Sequence, residues 1–279
     1  MVPRLQVLAA ALLFSTGGAA IKATTLTSWQ VAGFRSGVAA LVLLLLIPAT
    51  RRGWNARTGV IAASYAVTLV AFVNANKLTT AANAIFLQAT APLYLLIFGP
   101  FLLKERAGRS DLLVILTMAV GMTLFLWGGQ TATASAPDPV RGNLYAMIAG
   151  FAYAIVIGGF RLIEKDSRGG ENPGLATTAL GNVIAFLVCL PMAVPVATHQ
   201  SIDWVVIGYL GVIQIGLAYV LLTRGVRGVT ALEASLLLLA EPALNPIWAG
   251  LMHGEWPGGL ALAGGGLILG ATALSTLRR

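Results

Sequence analysis

Apolar runs of roughly 17 to 25 residues recur along the chain, separated by short loops that carry most of the charged and turn-forming residues. A helix rises about 1.5 Å per residue, so runs of this length match the roughly 30 Å hydrocarbon layer of a bilayer. Within lipid such a run satisfies its backbone hydrogen bonds as a helix. The chain is therefore predicted to be an all-α membrane protein with ten transmembrane helices. The predicted spans are Leu5–Ile21, Trp29–Ala49, Gly59–Asn76, Thr79–Leu103, Asp111–Trp127, Asn143–Leu162, Leu175–Ala197, Trp204–Thr223, Val229–Met252 and Gly258–Thr276.

The composition agrees with a membrane protein. Hydrophobic residues make up 57% of the 279 residues, charged residues only 10%, and the mean hydropathy is +0.84, far from the values of a soluble domain. The net charge of +8 does not indicate nucleic-acid binding, because the basic residues lie in short loops between apolar runs. A single cysteine, Cys189, excludes a disulfide framework and a cysteine metal motif, and no metal or cofactor is expected.

Lys and Arg residues concentrate on one predicted side of the bilayer. With a cytoplasmic N-terminus, fourteen of them lie on the cytoplasmic side, and Lys22, Lys77 and Arg141 lie on the other. Loops rich in Lys and Arg stay in the cytoplasm. We therefore predict a multi-pass protein of the bacterial inner (plasma) membrane with both termini cytoplasmic.

The two halves of the chain share a spaced pattern of proline and glutamate. A shift of 150 residues aligns Pro92 with Pro242 and Glu105 with Glu255, so that each proline is followed thirteen positions later by a glutamate. Five spans per half make the second half enter the membrane from the opposite face, and the repeat is predicted to be inverted. The predicted organisation is a five-helix repeat at 1–130, a periplasmic linker at 131–140 and a second five-helix repeat at 141–279.

The ninth span carries an acidic residue near the middle of its apolar run. Glu241 precedes Pro242 within the stretch Ala231–Glu255. A carboxylate in hydrocarbon is costly unless it is paired, protonated or facing water, so Glu241 is a candidate functional residue. The proline removes a backbone donor and predicts a kink in the helix. Glu241, Asn245 and Trp248 share one helical face, which predicts the wall of a cavity.

These features resemble those of a known family. Two five-helix halves, each with a proline in the fourth helix and a glutamate at its end, are similar to the drug/metabolite transporter superfamily in its ten-helix, tandem EamA-type form. Leu239-Ala240-Glu241-Pro242 through Gly254-Glu255 resembles the second-half signature of that family, and Pro92 to Lys104-Glu105 resembles the first-half one. The resemblance covers essentially the whole chain, whose length and layout look most like those of bacterial amino-acid exporters, especially aromatic amino-acid exporters.

The resemblance implies a central cavity lined by the inner helices of each half, with the fifth and tenth helices packed outside. Arg35 matches a position where the family often has arginine. One departure concerns the first half, which has Ala91 where the second half has Glu241.

Polar and aromatic residues at mid-membrane depth form the candidate substrate-binding set. An amino acid needs an acceptor for its ammonium group, donors for its carboxylate and a slot for its side chain. The alternative is that the Tyr and Trp residues only pack or lie at the membrane interfaces. The set is Tyr65, Gln88, Tyr94, Tyr153, Gln214, Tyr219, Glu241, Asn245 and Trp248.

Three roles are open for Glu241: it accepts a substrate ammonium, carries a coupling proton, or pairs with a cation such as Arg35. A structural or gating role is favoured. Arg35 is expected to pair helices rather than to bind a carboxylate. Pro92 and Pro242 are expected to let the fourth and ninth helices bend as the two halves rock.

Other classes of membrane protein lack their motifs in this sequence. It contains no HExxH, no serine–histidine pairing, no repeated filter sequence and no Walker-type loop. The chain is therefore predicted to be not an enzyme but a secondary transporter that exports aromatic and other neutral amino acids by alternating access. A same-fold exporter of drug-like cations or other metabolites is the alternative, and a channel is a remote one. The expected partners are a small-molecule substrate and the lipid bilayer, without nucleic acid, and a monomer is one option.

Overall fold

The computed structural model of the protein describes residues 1–102, 109–127, 132–165, 173–197, 199–229 and 231–277. Within these ranges the chain is helical and forms no β-strand. A π-helical segment, Tyr209–Leu217, connects α10 to α11. The helices are α1 (Val2–Ser15), α2 (Gly17–Lys22), α3 (Ser28–Leu46), α4 (Ala56–Leu78), α5 (Ala81–Gln88), α6 (Ala91–Leu102), α7 (Arg109–Trp127), α8 (Pro139–Lys165), α9 (Pro173–Ala193), α10 (Ser201–Gly208), α11 (Ala218–Gly225), α12 (Ala231–Leu238), α13 (Ala240–His253) and α14 (Gly259–Leu277).

Six helical segments of the described chain are long and apolar enough to cross a membrane. They correspond to the first, second, third, sixth, seventh and eighth predicted spans. The fifth and tenth predicted spans are the helices α7 and α14, of 19 residues each. The fourth and ninth are each divided into two shorter helices. The protein is therefore an all-α, multi-pass membrane protein, while the count of ten spans stays a prediction. The six segments are Val2–Lys22, Ser28–Leu46, Ala56–Leu78, Pro139–Phe160, Pro173–Ala193 and Ser201–Gly228.

The two divided spans break at matching positions. α5 ends at Gln88, four residues before Pro92, and α12 ends at Leu238, four residues before Pro242. Proline has no N–H, so the carbonyl four residues earlier loses its helical partner and the helix opens there. The Thr90 hydroxyl donates a 2.6 Å hydrogen bond to the nearby Leu87 carbonyl. The predicted kinks are confirmed at both prolines, whereas the inverted relation of the halves and the domain bounds stay predictions.

Two further irregularities were not expected from the sequence. The first span breaks at Thr16, whose hydroxyl donates a 2.7 Å hydrogen bond to the Leu13 carbonyl. The same hydroxyl lies 2.7 Å from the hydroxyl of Tyr209, where the π-helical segment begins. The segments that carry these irregularities pack directly against each other, and π-helical insertions often occur at functional sites.

The helices pack around the centre of the bundle, and small residues allow a close contact between α7 and α14. α4 packs against α8 and α9, α3 packs against α9, and α1 packs against α11, α12 and α13. α7 and α14 pack against each other, because Gly121 lets the α14 backbone approach at Gly264. Leu112, Leu116 and Leu262 on these two helices are exposed, and lipid covers such faces in the membrane.

Gly121→Ala is expected to lower the stability of the protein. A Cβ at residue 121 would lie 2.9 Å from both the Gly264 carbonyl oxygen and Ile268 Cγ1, so α7 and α14 would have to separate. Overpacking of this kind costs about 1–3 kcal/mol. Thermal unfolding of the detergent-solubilised protein measures the effect. The matched control is Gly270→Ala, whose Cβ would meet nothing within 4 Å and which should keep or raise the stability. Equal unfolding temperatures for Gly121→Ala and the control would contradict this packing.

Candidate functional site

A cavity of about 250 Å³ lies in the middle of the helix bundle. Its lining comes from helices of both halves of the chain, and it includes the two proline-associated breaks. Pockets for drug-sized ligands measure about 300–1,000 Å³, so this cavity has the size for a small metabolite.

Most of the predicted site residues line this cavity. Six of the nine candidate substrate-binding residues do so, together with all three residues that were assigned gating or structural roles. Side chains far apart in the sequence therefore meet in one place. The lining residues are Tyr65, Gln88, Tyr153, Gln214, Tyr219 and Glu241, with Arg35, Pro92 and Pro242.

Tyr94, Asn245 and Trp248 lie outside the cavity lining. The ring of Tyr94 packs edge to face against Phe151, with centroids 5.5 Å apart. Trp248 Nε1 donates a 2.9 Å hydrogen bond to the Ser15 hydroxyl of α1. These contacts turn the two aromatic side chains towards neighbouring helices.

Asn245 is enclosed because α2 approaches it at a glycine. A Cβ at Gly18 would lie 2.9 Å from Asn245 Oδ1 and 2.9 Å from Asn76 Oδ1. Among the described residues Asn245 has no hydrogen-bond partner for its side chain. Within this cavity the predicted wall extends only to Glu241, since α1 and α2 contact Trp248 and Asn245, and a role of these two residues in substrate binding stays a prediction.

Glu241 lies where the ninth span restarts. It belongs to the first turn of α13, directly after the break at Leu239. The positive end of the helix dipole favours a carboxylate there. In the described part of the chain the Glu241 carboxylate has neither a hydrogen bond nor an ion pair, and it faces the cavity.

Arg35 is the cationic residue of the cavity lining. Only 2% of it is exposed, and its Nη2 donates a 3.1 Å hydrogen bond to the Leu69 carbonyl. Its Nε is buried without a hydrogen-bond partner in the described structure. The possible Arg35–Glu241 pairing is not formed, since no ion pair joins these two described residues. The sequence favours a helix-pairing role for Arg35 over carboxylate binding, although an arginine inside a span is itself a signal for a functional site.

Aromatic rings supply much of the apolar wall. Phe14 and Tyr219 pack edge to face at 5.1 Å, and Tyr65 and Tyr219 do so at 5.8 Å. The three rings come from α1, α4 and α11, so they join both halves of the chain. Such a wall suits an apolar or aromatic group of a ligand.

The tenth predicted span also reaches the cavity. Thr272 of α14 is among the lining residues, which corrects the expectation that this span lies wholly outside. The polar side chain of Thr272 was available in the sequence as a signal, because threonine is unusual among the glycine and leucine residues of α14.

A buried ion pair closes one end of the bundle. Lys22 Nζ lies 3.0 Å from Glu255 Oε2, and these side chains are 5% and 6% exposed. Lys22 also donates a 2.8 Å hydrogen bond to the Thr79 carbonyl and one to the Ser135 carbonyl. The second carboxylate oxygen of Glu255 accepts a hydrogen bond from the Ala81 N–H at the start of α5. We name these five residues the ion-pair closure.

The ion-pair closure lies opposite to the chain termini. It forms at the ends of α2 and α4 and at the start of α5, while α1 starts and α14 ends at the other end of the bundle. Three residues of the cavity lining, Ile157, Leu222 and Thr272, lie in the halves of their helical segments that are farther from the ion-pair closure. The cavity lining therefore reaches into the half of the bundle that carries the termini, while Arg35, Phe72 and Ile85 of the same lining lie nearer to the closure. The sequence did not predict this pair, although Lys22 and Glu255 both lie at the same predicted side.

The fold and the site define a multi-pass membrane protein of the small-molecule transporter class. The model of the EamA-like transporter family matches the chain twice, over residues 3–127 and 140–277. The chain belongs to this family. The match places the protein among membrane transporters.

Two relatives have similar sequences. The protein named Uncharacterized transporter YdfC of Bacillus subtilis is 30% identical over 205 residues, which are 73% of this chain and 65% of that protein. The protein named Uncharacterized protein PA1977 of Pseudomonas aeruginosa is 29% identical over an alignment of 280 positions, which covers 94% of this chain and 90% of that protein. The alignment with YdfC thus spans less than two thirds of its length.

A solved crystal structure shares the fold. It superposes with a TM-score of 0.64, at 20% identity, over 99% of this chain and 96% of the other. At that identity the likeness concerns the fold alone.

Removing one member of the buried ion pair is expected to destabilise the protein. Lys22→Met or Glu255→Gln leaves a buried polar or charged group without its partner, which costs about 3–5 kcal/mol. The measurement is the free energy of unfolding of the purified protein in detergent. The matched control is Arg141→Gln, which removes a 3.7 Å pair with Asp138 whose side chains are 78% and 37% exposed. An exposed pair contributes about 0–1 kcal/mol, so equal losses in all three variants would contradict the closure.

Proposed function

We propose that the protein is a secondary transporter that exports amino acids, aromatic and other neutral ones, across the bacterial inner membrane by alternating access. The observation that carries the proposal is the cavity, whose described lining combines one carboxylate, one guanidinium, two amides and several aromatic rings. Glu241 accepts the ammonium group of the substrate. The rings of Phe14, Tyr65 and Tyr219 receive its side chain, with cation–π contacts open to the ammonium group.

Alternating access rests on the closed end and the broken helices. In this proposal the buried ion-pair closure blocks passage at its end, and substrate enters the cavity from the other end, into which the lining also reaches. Transport then requires the Lys22–Glu255 pair to separate while the opposite end closes. The breaks before Pro92 and Pro242 supply the bending points, as broken helices do in other secondary transporters.

The orientation follows the charge of the loops. The end that carries the termini faces the cytoplasm, where most Lys and Arg residues lie, and the ion-pair closure faces outward. The proposed working unit is a monomer of two inverted five-helix repeats, with the cavity between them.

Reconstituted protein is expected to transport large neutral amino acids. Liposomes that contain the purified protein should take up labelled phenylalanine and leucine saturably, with and without a proton gradient. Unlabelled substrate inside the liposomes should accelerate uptake, because an alternating carrier exchanges substrates, whereas a channel does not. Uptake of drug-like cations instead of amino acids would favour the alternative substrate class. Absence of amino-acid uptake by inserted, folded protein would contradict the proposal.

Glu241→Gln is expected to reduce amino-acid uptake by about tenfold or more, because a hydrogen bond to a charged group contributes about 1.5–3 kcal/mol. The variant keeps the shape of the side chain, so insertion and the unfolding temperature should stay near those of the wild type. The control is Ser64→Ala on α4, whose hydroxyl only donates to the Val60 carbonyl and lies outside the cavity lining. Uptake by Glu241→Gln at the wild-type rate would exclude an essential role for the carboxylate.

A further inference from the structure

We propose that Arg35 selects the substrate by binding a carboxylate group in the cavity. The inference deepens the proposed function, because it takes the cavity as the substrate site and names the substrate class as carboxylate-bearing. A transporter of drug-like cations would have no such requirement.

The burial of Arg35 calls for an anionic partner. The residue is 2% exposed, and a guanidinium remains charged at any physiological pH. An unpaired buried charge is unfavourable in a low-dielectric medium. The single hydrogen bond to the Leu69 carbonyl satisfies one of five N–H donors, and Nε has no partner in the described structure.

The acidic side chains that the structure describes do not supply this partner. Glu255 is paired with Lys22, and Asp138 lies beside Arg141 on the surface. Asp203 accepts hydrogen bonds from the N–H groups of Thr25 and Gln200, at 2.8 Å each. Glu241 shares the cavity with Arg35 but forms no ion pair with it. The described cavity lining thus keeps one carboxylate and one guanidinium unpaired, which matches the two charges of a zwitterion.

Tight packing fixes the backbone position of Arg35. A Cβ at Gly211 would lie 2.9 Å from the Arg35 carbonyl oxygen and 2.6 Å from Val38, so the π-helical segment lies directly against α3. On the same helix a Cβ at Gly33 would lie 3.0 Å from Cys189 Cβ. The guanidinium is therefore presented from a rigid position, as a binding group requires. A planar guanidinium binds a carboxylate with two parallel hydrogen bonds.

The experiment compares four ligands that differ in their charged groups. L-Phenylalanine carries both charges, L-phenylalaninamide and 2-phenylethylamine lack the carboxylate, and 3-phenylpropionate lacks the ammonium group. Titration of each ligand against the unfolding temperature of the purified full-length protein gives apparent affinities independently of transport. Wild-type protein is expected to bind phenylalanine about 10- to 100-fold more tightly than the amide and the amine.

Arg35→Gln is expected to remove this preference. The affinity for phenylalanine and phenylpropionate should fall by the same factor, while that for 2-phenylethylamine should change little. The affinity of the Arg35→Lys variant for the two carboxylate ligands should lie between the affinities of the wild type and of Arg35→Gln, because an ammonium is a point charge without the planar fork of a guanidinium. The control is Ser36→Ala, a neighbouring buried residue outside the cavity lining, which should keep the wild-type preference. If Arg35→Gln does not fold, the wild-type ligand series and Arg35→Lys decide the question.

The outcomes separate this inference from the proposed function. Binding of phenylpropionate without phenylalanine, lost in Arg35→Gln, would support the role of Arg35 and contradict amino-acid transport. Equal affinity of wild-type and Arg35→Gln protein for phenylalanine, with uptake retained, would overturn the role of Arg35 and leave amino-acid transport standing. Tight binding of the amine alone, or no binding by either carboxylate, would also overturn it.

Discussion

The Lys22–Glu255 ion pair is the interaction on which the closed end of the bundle depends. In an apolar surrounding each charge would be costly alone, and the pair is compensated further by the Thr79 and Ser135 carbonyls and by the Ala81 N–H. These contacts join α2, the α4–α5 junction, the segment before α8 and the end of α13. Both halves of the chain are therefore held together at this end by one group of polar contacts.

The cost of an unpaired buried charge has a different consequence in the cavity. At the closed end Lys22 and Glu255 are paired with each other, whereas in the described cavity lining Arg35 has one hydrogen bond and Glu241 has neither a hydrogen bond nor an ion pair. Paired charges hold helices in place, and unpaired ones are available to a ligand whose charges are complementary. Under the proposed function, the ion pair at the closed end has a structural role, and the two unpaired charges in the cavity recognise the substrate. A ligand that bridges Arg35 and Glu241 would compensate both at once, which favours a zwitterion over a simple cation.

Much of this fold could be predicted from local sequence, and the exceptions depend on tertiary contacts. Apolar runs gave the positions of the helices, and the missing N–H groups of Pro92 and Pro242 gave the breaks. The break at Thr16 and the π-helical segment carry no such local signal, because they depend on how the two segments fit against each other. Depth in the membrane predicts Tyr94 as a site residue, and depth together with the helical face of Glu241 predicts Asn245 and Trp248, yet these three lie outside the described cavity lining. Depth does not tell which side of a helix its neighbours cover.

The two helix breaks carry different residues at equivalent positions, Ala91 in the first half and Glu241 in the second. Ala91 and Glu241 both lie in the cavity lining, each directly after a break and at the start of α6 or α13. Each position benefits from the positive end of a helix dipole, but only the second half has a carboxylate there. With Arg35 contributed by α3, the first half supplies the cation and the second half the anion. A substrate that binds both charges contacts both halves of the chain. Its binding energy then stabilises one relative position of the two halves over the other. A carrier needs this coupling between substrate binding and conformation.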